Sequence, residues 1–183
     1  KMVENKLIQQ KSEAIYQEAV SVASNNTLRY QTSATNLDSI FEHLKSLSAY
    51  QESEIWILNS QNELLIDTNK PAPFVSPKKV KQFDPVAWGS SYYRIGKFYG
   101  NFQKNMLSVI APITANMNVK GYVIIHFPME QIYQDREEIL LVMYVAFLVF
   151  FLLMLLILIF FTFNIYRPLQ KIVTGVDEFA LGH

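Results

Sequence analysis

The side chains that most often carry chemistry are sparse and scattered in this chain. Three histidines, His43, His126 and His183, have no spacing that would make two of them ligands of one metal. The six glycines, Gly89, Gly96, Gly100, Gly121, Gly175 and Gly182, build no phosphate-cradling loop. No serine stands in a nucleophile-elbow sequence. Cysteine is absent, which excludes disulfides and thiolate metal sites. Glu137 and Glu138 are adjacent carboxylates, but they stand at the foot of a long uncharged run and read as interface charges. No catalytic residue, metal or cofactor is therefore expected within these residues.

Binding chemistry is better represented. Over residues 70–104, Lys70, Lys78, Lys79, Lys81, Arg94, Lys97 and Lys104 stand against Asp84 alone, a balance of +6 in a chain of formal net charge zero. The same stretch holds Phe74, Phe83, Trp88, Tyr92, Tyr93, Phe98, Tyr99 and Phe102. Aromatic walls with a few cationic groups suit a pocket for a small anionic ligand, a carboxylate or phosphate. Arg94 is the first choice for contact, because its planar fork holds such a group with two hydrogen bonds. Tyr93 and Trp88 would supply walls and Lys97 further charge. His126 is a further candidate, on one strand face with Tyr122 and Ile124. The alternative is that the aromatics are core, the lysines a solvated loop facing lipid headgroups, and His126 a satisfied core histidine. Zero net charge argues against nucleic acid.

The elements that must position these groups fall into three stretches. Residues 139–163 are uncharged and apolar except for Thr162, about 25 residues in all, long enough to cross a bilayer. Arg167 and Lys171 follow this run, against Arg136 before it, and Lys and Arg favour the cytoplasmic side. That orientation puts residues 1–138 outside the cell, 139–165 in the membrane and 166–183 inside. Tyr166 falls where an interfacial aromatic belongs. Neither end of the chain reads as a natural boundary, so a longer membrane protein is expected, with an earlier membrane helix before Lys1.

Within 1–138 the apolar period changes along the chain. Ile8, Ile15, Ala19 and Val22 mark one helix over residues 3–24, ending near Ser24-Asn25-Asn26-Thr27. Leu37, Ile40, Phe41, Leu44 and Leu47 mark a second, with Thr35 or Asn36 as N-cap. Residues 54–59 and 64–68 are short apolar runs around Ser60-Gln61-Asn62-Glu63 and predict a hairpin. Residues 106–113 and 121–127, with a turn at 116–118, predict another, and Pro112 suggests an edge or bulge position there. Part of residues 92–102 predicts a further strand. The order predicts an α+β fold with a mostly antiparallel sheet.

Two resemblances rest on these segments. Pro168, Leu169, Ile172, Ala180 and Gly182, directly after the apolar run, resemble the first helix of a HAMP domain, the coiled-coil module that follows the last membrane helix of many bacterial receptors. Residues 55–67, together with 106–113 and 121–132, resemble the opening and closing hairpins of extracytoplasmic PAS-like sensor domains of the single Cache or PDC type. Such domains pack a long N-terminal helix on a central antiparallel sheet. The family turn usually contains Gly where this chain has Gln61-Asn62, and Asn also tolerates left-handed backbone. The whole pattern resembles the input half of a two-component sensor histidine kinase of Gram-positive bacteria. That resemblance implies an extracellular ligand, lipid contact, a homodimer and, through cytoplasmic domains outside these residues, a kinase acting on a response regulator. Chemoreceptors and membrane diguanylate cyclases share the input layout. A membrane-anchored binding protein without cytoplasmic output is the other class of answer.

Overall fold

A computed structural model of the chain describes residues 2–25, 34–72 and 78–170. The chain divides between Arg136 and Glu137 into two units. In the first, two helices, α1 (Met2–Ala23) and α2 (Ala34–Gln51), precede six strands: β1 (Glu54–Asn59), β2 (Glu63–Asp67), β3 (Lys78–Lys79), β4 (Tyr93–Gly96), β5 (Met106–Ala115) and β6 (Asn118–Pro128). All pairings are antiparallel and the sheet order is β3-β2-β1-β6-β5-β4. The helix, helix, strand order expected from periodicity is the order observed.

Side-chain alternation divides the sheet into two faces. Ile55 and Ile57 of β1, Leu107, Val109, Ala111 and Ile113 of β5, and Val123, Ile125 and Phe127 of β6 form the face that packs against the helices. The helical stripes supply Ile15, Ala19 and Ala23 from α1 and Ile40, Phe41 and Leu44 from α2, all buried. Trp56 and Leu58, Ile110, and Ile124 point to the other face, which residues 80–104 cover with Val80, Phe83, Trp88 and Phe98. The aromatics of the middle segment are thus largely a second core.

Local chemistry accounts for the turns. Asn62 takes φ 64°, a left-handed position that Asn tolerates. The Asn59 side-chain oxygen accepts the backbone N–H groups of Gln61 and Glu63, each at 2.9 Å, so the turn closes without glycine. Gly121 answers a different need, since a Cβ there would overlap the Leu58 carbonyl oxygen on the adjoining strand. β4 pairs with β5 only as far as Val109, so Pro112 lies past the end of that pairing, where its missing N–H breaks no ladder bond to β4. Positive φ at Phe98 (40°), Tyr99 (53°) and Gly100 (76°) turns the chain after β4, and this strand is shorter than the 92–102 run suggested.

A third helix, α3 (Met129–Phe161), follows β6 without an intervening loop. Its first turn belongs to the first unit: Met129 and Ile132 are buried, and Met129 donates its N–H to the Asn105 carbonyl at 3.1 Å. Lys104 pairs with Glu130 at 2.6 Å. The second unit is the rest of α3 and its continuation. The helical stretch Met129–Gln170 is long and apolar enough to cross a membrane. It includes a π-helical turn at Thr162–Tyr166, in which Arg167 N–H donates to the Thr162 carbonyl. This wider turn lies just before Pro168, whose ring would crowd the carbonyl four residues back in a regular helix. The helix thus continues through Pro168 to Gln170. Ile172, Ala180 and Gly182 of the HAMP-like stretch lie outside the described residues, as does His183.

Candidate functional site on the open face of the sheet

Register places four polar residues in one line across the face that residues 80–104 cover. Glu54 on β1 pairs with His126 on β6, His126 with Ser108 on β5, and Ser108 with Arg94 on β4. Their neighbours on this face are mostly apolar, so the line is conspicuous.

His126 is fully buried. Its Nδ1 lies 2.8 Å from Ser108 Oγ, and Nε2 has no hydrogen-bond partner. Three rings close on the imidazole: Trp56 at 4.7 Å, Phe98 at 4.5 Å and Phe102 at 4.7 Å between centroids. Burial lowers its pKa to about 3, which keeps it neutral.

Glu54 is the cross-strand neighbour of His126 and opens onto a cleft of about 450 Å³. Trp56 and Phe102 wall this cleft, Asp67 lines it beside Glu54, and Lys70, Lys78 and Lys79 stand around it. Trp56 donates its indole N–H to Glu54 Oε1 at 2.7 Å. The Asp67 carboxylate accepts the Asn69 N–H at 2.9 Å. Burial raises Glu54 to about 7, helped by the negative charge of Asp67 and opposed by the Trp56 hydrogen bond and Lys70. Glu54 therefore exchanges its proton near neutral pH.

The residues expected from the sequence separate on this frame. Arg94 and His126 share the polar line. Arg94 is exposed; its guanidinium donates to the Ala87 carbonyl and lies 5.2 Å from the Trp88 ring. Trp88 is buried in the aromatic layer and donates its indole N–H to Tyr99 Oη at 3.1 Å. Tyr93, next to Arg94 in an extended strand, turns to the helix face, where it meets Tyr92 at 5.4 Å; Tyr92 in turn meets Tyr16 at 4.7 Å. Lys97 is exposed just past β4, and its carbonyl accepts the Phe102 N–H at 3.2 Å. The cleft-lining pair Glu54 and Asp67, with Trp56 and Ser108, was not singled out in the sequence. Alternation along β1 puts Glu54 and Trp56 on one face, but only the β1–β6 register brings that face to His126.

No protein-family model matches the chain, and no curated protein sequence does. Solved structures do resemble it. An extracellular domain described as that of a histidine kinase, vpHK1S-Z8, superimposes with a TM-score of 0.52 at 13% identity, over 71% of this chain and 55% of that one. A domain from Vibrio parahaemolyticus assigned to the sensory box/GGDEF family gives 0.54 at 13% identity, over 70% and 57%. The ligand-binding domain of the Campylobacter jejuni chemoreceptor Tlp3, in complex with L-norvaline, gives 0.53 at 8% identity, over 72% and 56%. The chain thus spans a little over half the length of each. At these identities the likeness is one of fold, and the fold is the α+β, PAS-like architecture with a long N-terminal helix.

Proposed function

We propose that the chain is the signal-sensing input region of a two-component sensor histidine kinase. Residues 1–138 are the extracytoplasmic sensor domain, 139–165 the membrane helix and 166–183 the start of a HAMP domain. The observation that carries this reading is continuity: the last strand of a PAS-like sheet passes directly into a helix apolar enough to cross a membrane. A ligand in the cleft on this second face acts through the β1–β6 pairing, and β6 is covalently the root of α3.

The ligand is small, to match a cleft of about 450 Å³. An anionic group on it would be met by Lys70, Lys78 and Lys79 around that cleft, and Arg94 serves the polar line at the edge strand. The solved Tlp3 domain holds a small amino-acid ligand, which supports a ligand of this size here. In the full-length protein the helices pair as a parallel homodimer, and the output is phosphotransfer to a response regulator.

Topology is the first test. Cysteine at Ser60 in the β1–β2 turn is expected to react with a membrane-impermeant maleimide in intact cells, whereas Thr174→Cys reacts only after permeabilisation. The reverse pattern would overturn the sensor reading. ATP-dependent autophosphorylation of the full-length protein separates a kinase from a chemoreceptor or cyclase.

A further inference from the structure

Helix α2 ends on a residue that its backbone conformation does not favour. Ser53 N–H donates to the Ser48 carbonyl at 3.0 Å, the bond that closes a Schellman motif, and Glu52 fills the left-handed position of that motif with φ 51°. Glycine takes this position freely, whereas a residue with a Cβ is strained there. Glu52 is exposed, so burial does not offset that strain. Its side chain does have a partner: the carboxylate accepts the Nε2 group of Gln131 on α3. A groove of about 550 Å³ runs between α1, the end of α2 and the root of α3, and Glu52 and Gln131 both line it. The pair bridges α2 to α3 across that groove.

The same corner is bonded to the cleft. Ser48 Oγ donates to the Ser53 carbonyl and accepts the Thr68 hydroxyl at 3.0 Å. Thr68 Oγ1 in turn accepts the Ile55 N–H at 2.9 Å, and Thr68 N–H donates to the Ile55 carbonyl at 3.1 Å. Each hydroxyl thus gives one proton and takes one, so the directions of these bonds are mutually consistent. Ile55 and Thr68 are the chain neighbours of Glu54 and Asp67, which line the cleft. A continuous path runs from the cleft ends of β1 and β2, through the cap of α2, to Gln131.

We propose that Glu52 is a positioning residue for signal transmission, kept in a strained cap because its carboxylate braces the cleft ends of β1 and β2 against the root of α3. The proposal deepens the sensor reading and rests on the cleft being its ligand site. Gln131 stands between Met129 and Ile132, whose buried side chains seat the first turn of α3. A shift of Glu52 therefore acts on the turn from which the long helix starts. Glycine at position 52 would relax the cap and remove the brace together. A purely structural cap and a bracing one then predict opposite effects at α3.

The test uses the full chain in detergent micelles, with thermal unfolding for global stability and hydrogen exchange for the root of α3. The amides of residues 133–136 report that root, because their helical acceptors are the carbonyls one turn back. Glu52→Gly is expected to keep the thermal midpoint at or above the wild-type value while exchange over residues 133–136 speeds up about threefold to tenfold, the scale of one lost charge-assisted bond at the surface. Exchange in β6 stays unchanged. Glu52→Gln keeps an acceptor for Gln131 and is expected to stay within about twofold of wild type. Thr68→Val cuts the path on the cleft side; it is expected to speed exchange over residues 133–136 in the wild-type background and to add nothing in Glu52→Gly. The brace is overturned by unchanged exchange in Glu52→Gly, by a lower midpoint with faster exchange throughout the domain, by Glu52→Gln behaving as Glu52→Gly, or by additive effects of Thr68→Val. Maleimide labelling is independent of all of these. A failed brace leaves the sensor reading standing, and reversed labelling removes that reading without altering the exchange result.

Discussion

At the scale of single residues, the buried histidine makes the sharpest statement. His126 is neutral in the fold, with its pKa lowered to about 3 by burial from an ordinary 6.5. The unfolded chain binds a proton to it below about 6.5, while the folded chain does not until about 3. Its contribution to stability is thus fully present above 6.5 and is lost as the pH falls through that window, by several kcal/mol at the acid end. Glu54 works in the opposite sense. Its folded value of about 7 lies above the ordinary 4.5, so folding is favoured at low pH and that advantage fades as pH rises through 7. Because the two groups oppose each other over this range, the test is the difference between proteins: in chemical denaturation, His126→Phe is expected to gain stability relative to wild type progressively as the pH falls from 6.5 to 4, and a pH-independent difference would place the acid sensitivity elsewhere. His126 was legible as a candidate because alternation puts it with Tyr122 and Ile124. Its partners were not, since Glu54 and Ser108 reach it only through long-range register. Tyr93 and Arg94 show the same limit from the other side: adjacent in composition, they face opposite sides of the sheet because strand geometry has period two.

At the scale of elements, the two expected hairpins form because each turn solves its own backbone problem. Asn59 holds two backbone N–H groups with one side-chain oxygen. Asn59→Ala is expected to lose about 1–2 kcal/mol in denaturant melts. Asn62→Gly, which relieves a left-handed position, should fall within about 1 kcal/mol of wild type. Equal losses for the two would show that the side-chain bonds are not what closes the turn. Gly121→Ala drives a methyl into the Leu58 carbonyl and is expected to cost about 1–3 kcal/mol by shifting β1 from β6. The strands were readable because period-two alternation is local. Two features were not. β3 is only Lys78–Lys79, too short to carry a period, and β4 ends early where Phe98 and Tyr99 take positive φ, which no aromatic composition announces.

For the whole molecule, the long apolar helix was the plainest feature to read, because its composition is apolar along one continuous stretch. The order β3-β2-β1-β6-β5-β4 was the least plain, since its central β1–β6 pairing joins distant segments by backbone bonds that any residues can make. Assembly belongs to this scale. A HAMP-like stripe is buried only against a second helix, so the proposed parallel dimer predicts disulfide crosslinking between copies at Ile172→Cys and Val176→Cys, with helical periodicity across the intervening positions. Uniform or absent crosslinking in membranes would count against the dimer.

The strap of chain that carries Phe102 is fastened close by to the root of α3, through the Asn105 carbonyl on Met129 and Lys104 on Glu130. Mechanically, these bonds and β5–β6 close a small linkage in which the cleft wall and the helix base are adjacent links. A displacement of this strap as a body cannot occur without loading one of those two fastenings. The fold has therefore placed one wall of the cleft and the base of the long helix within a single short lever.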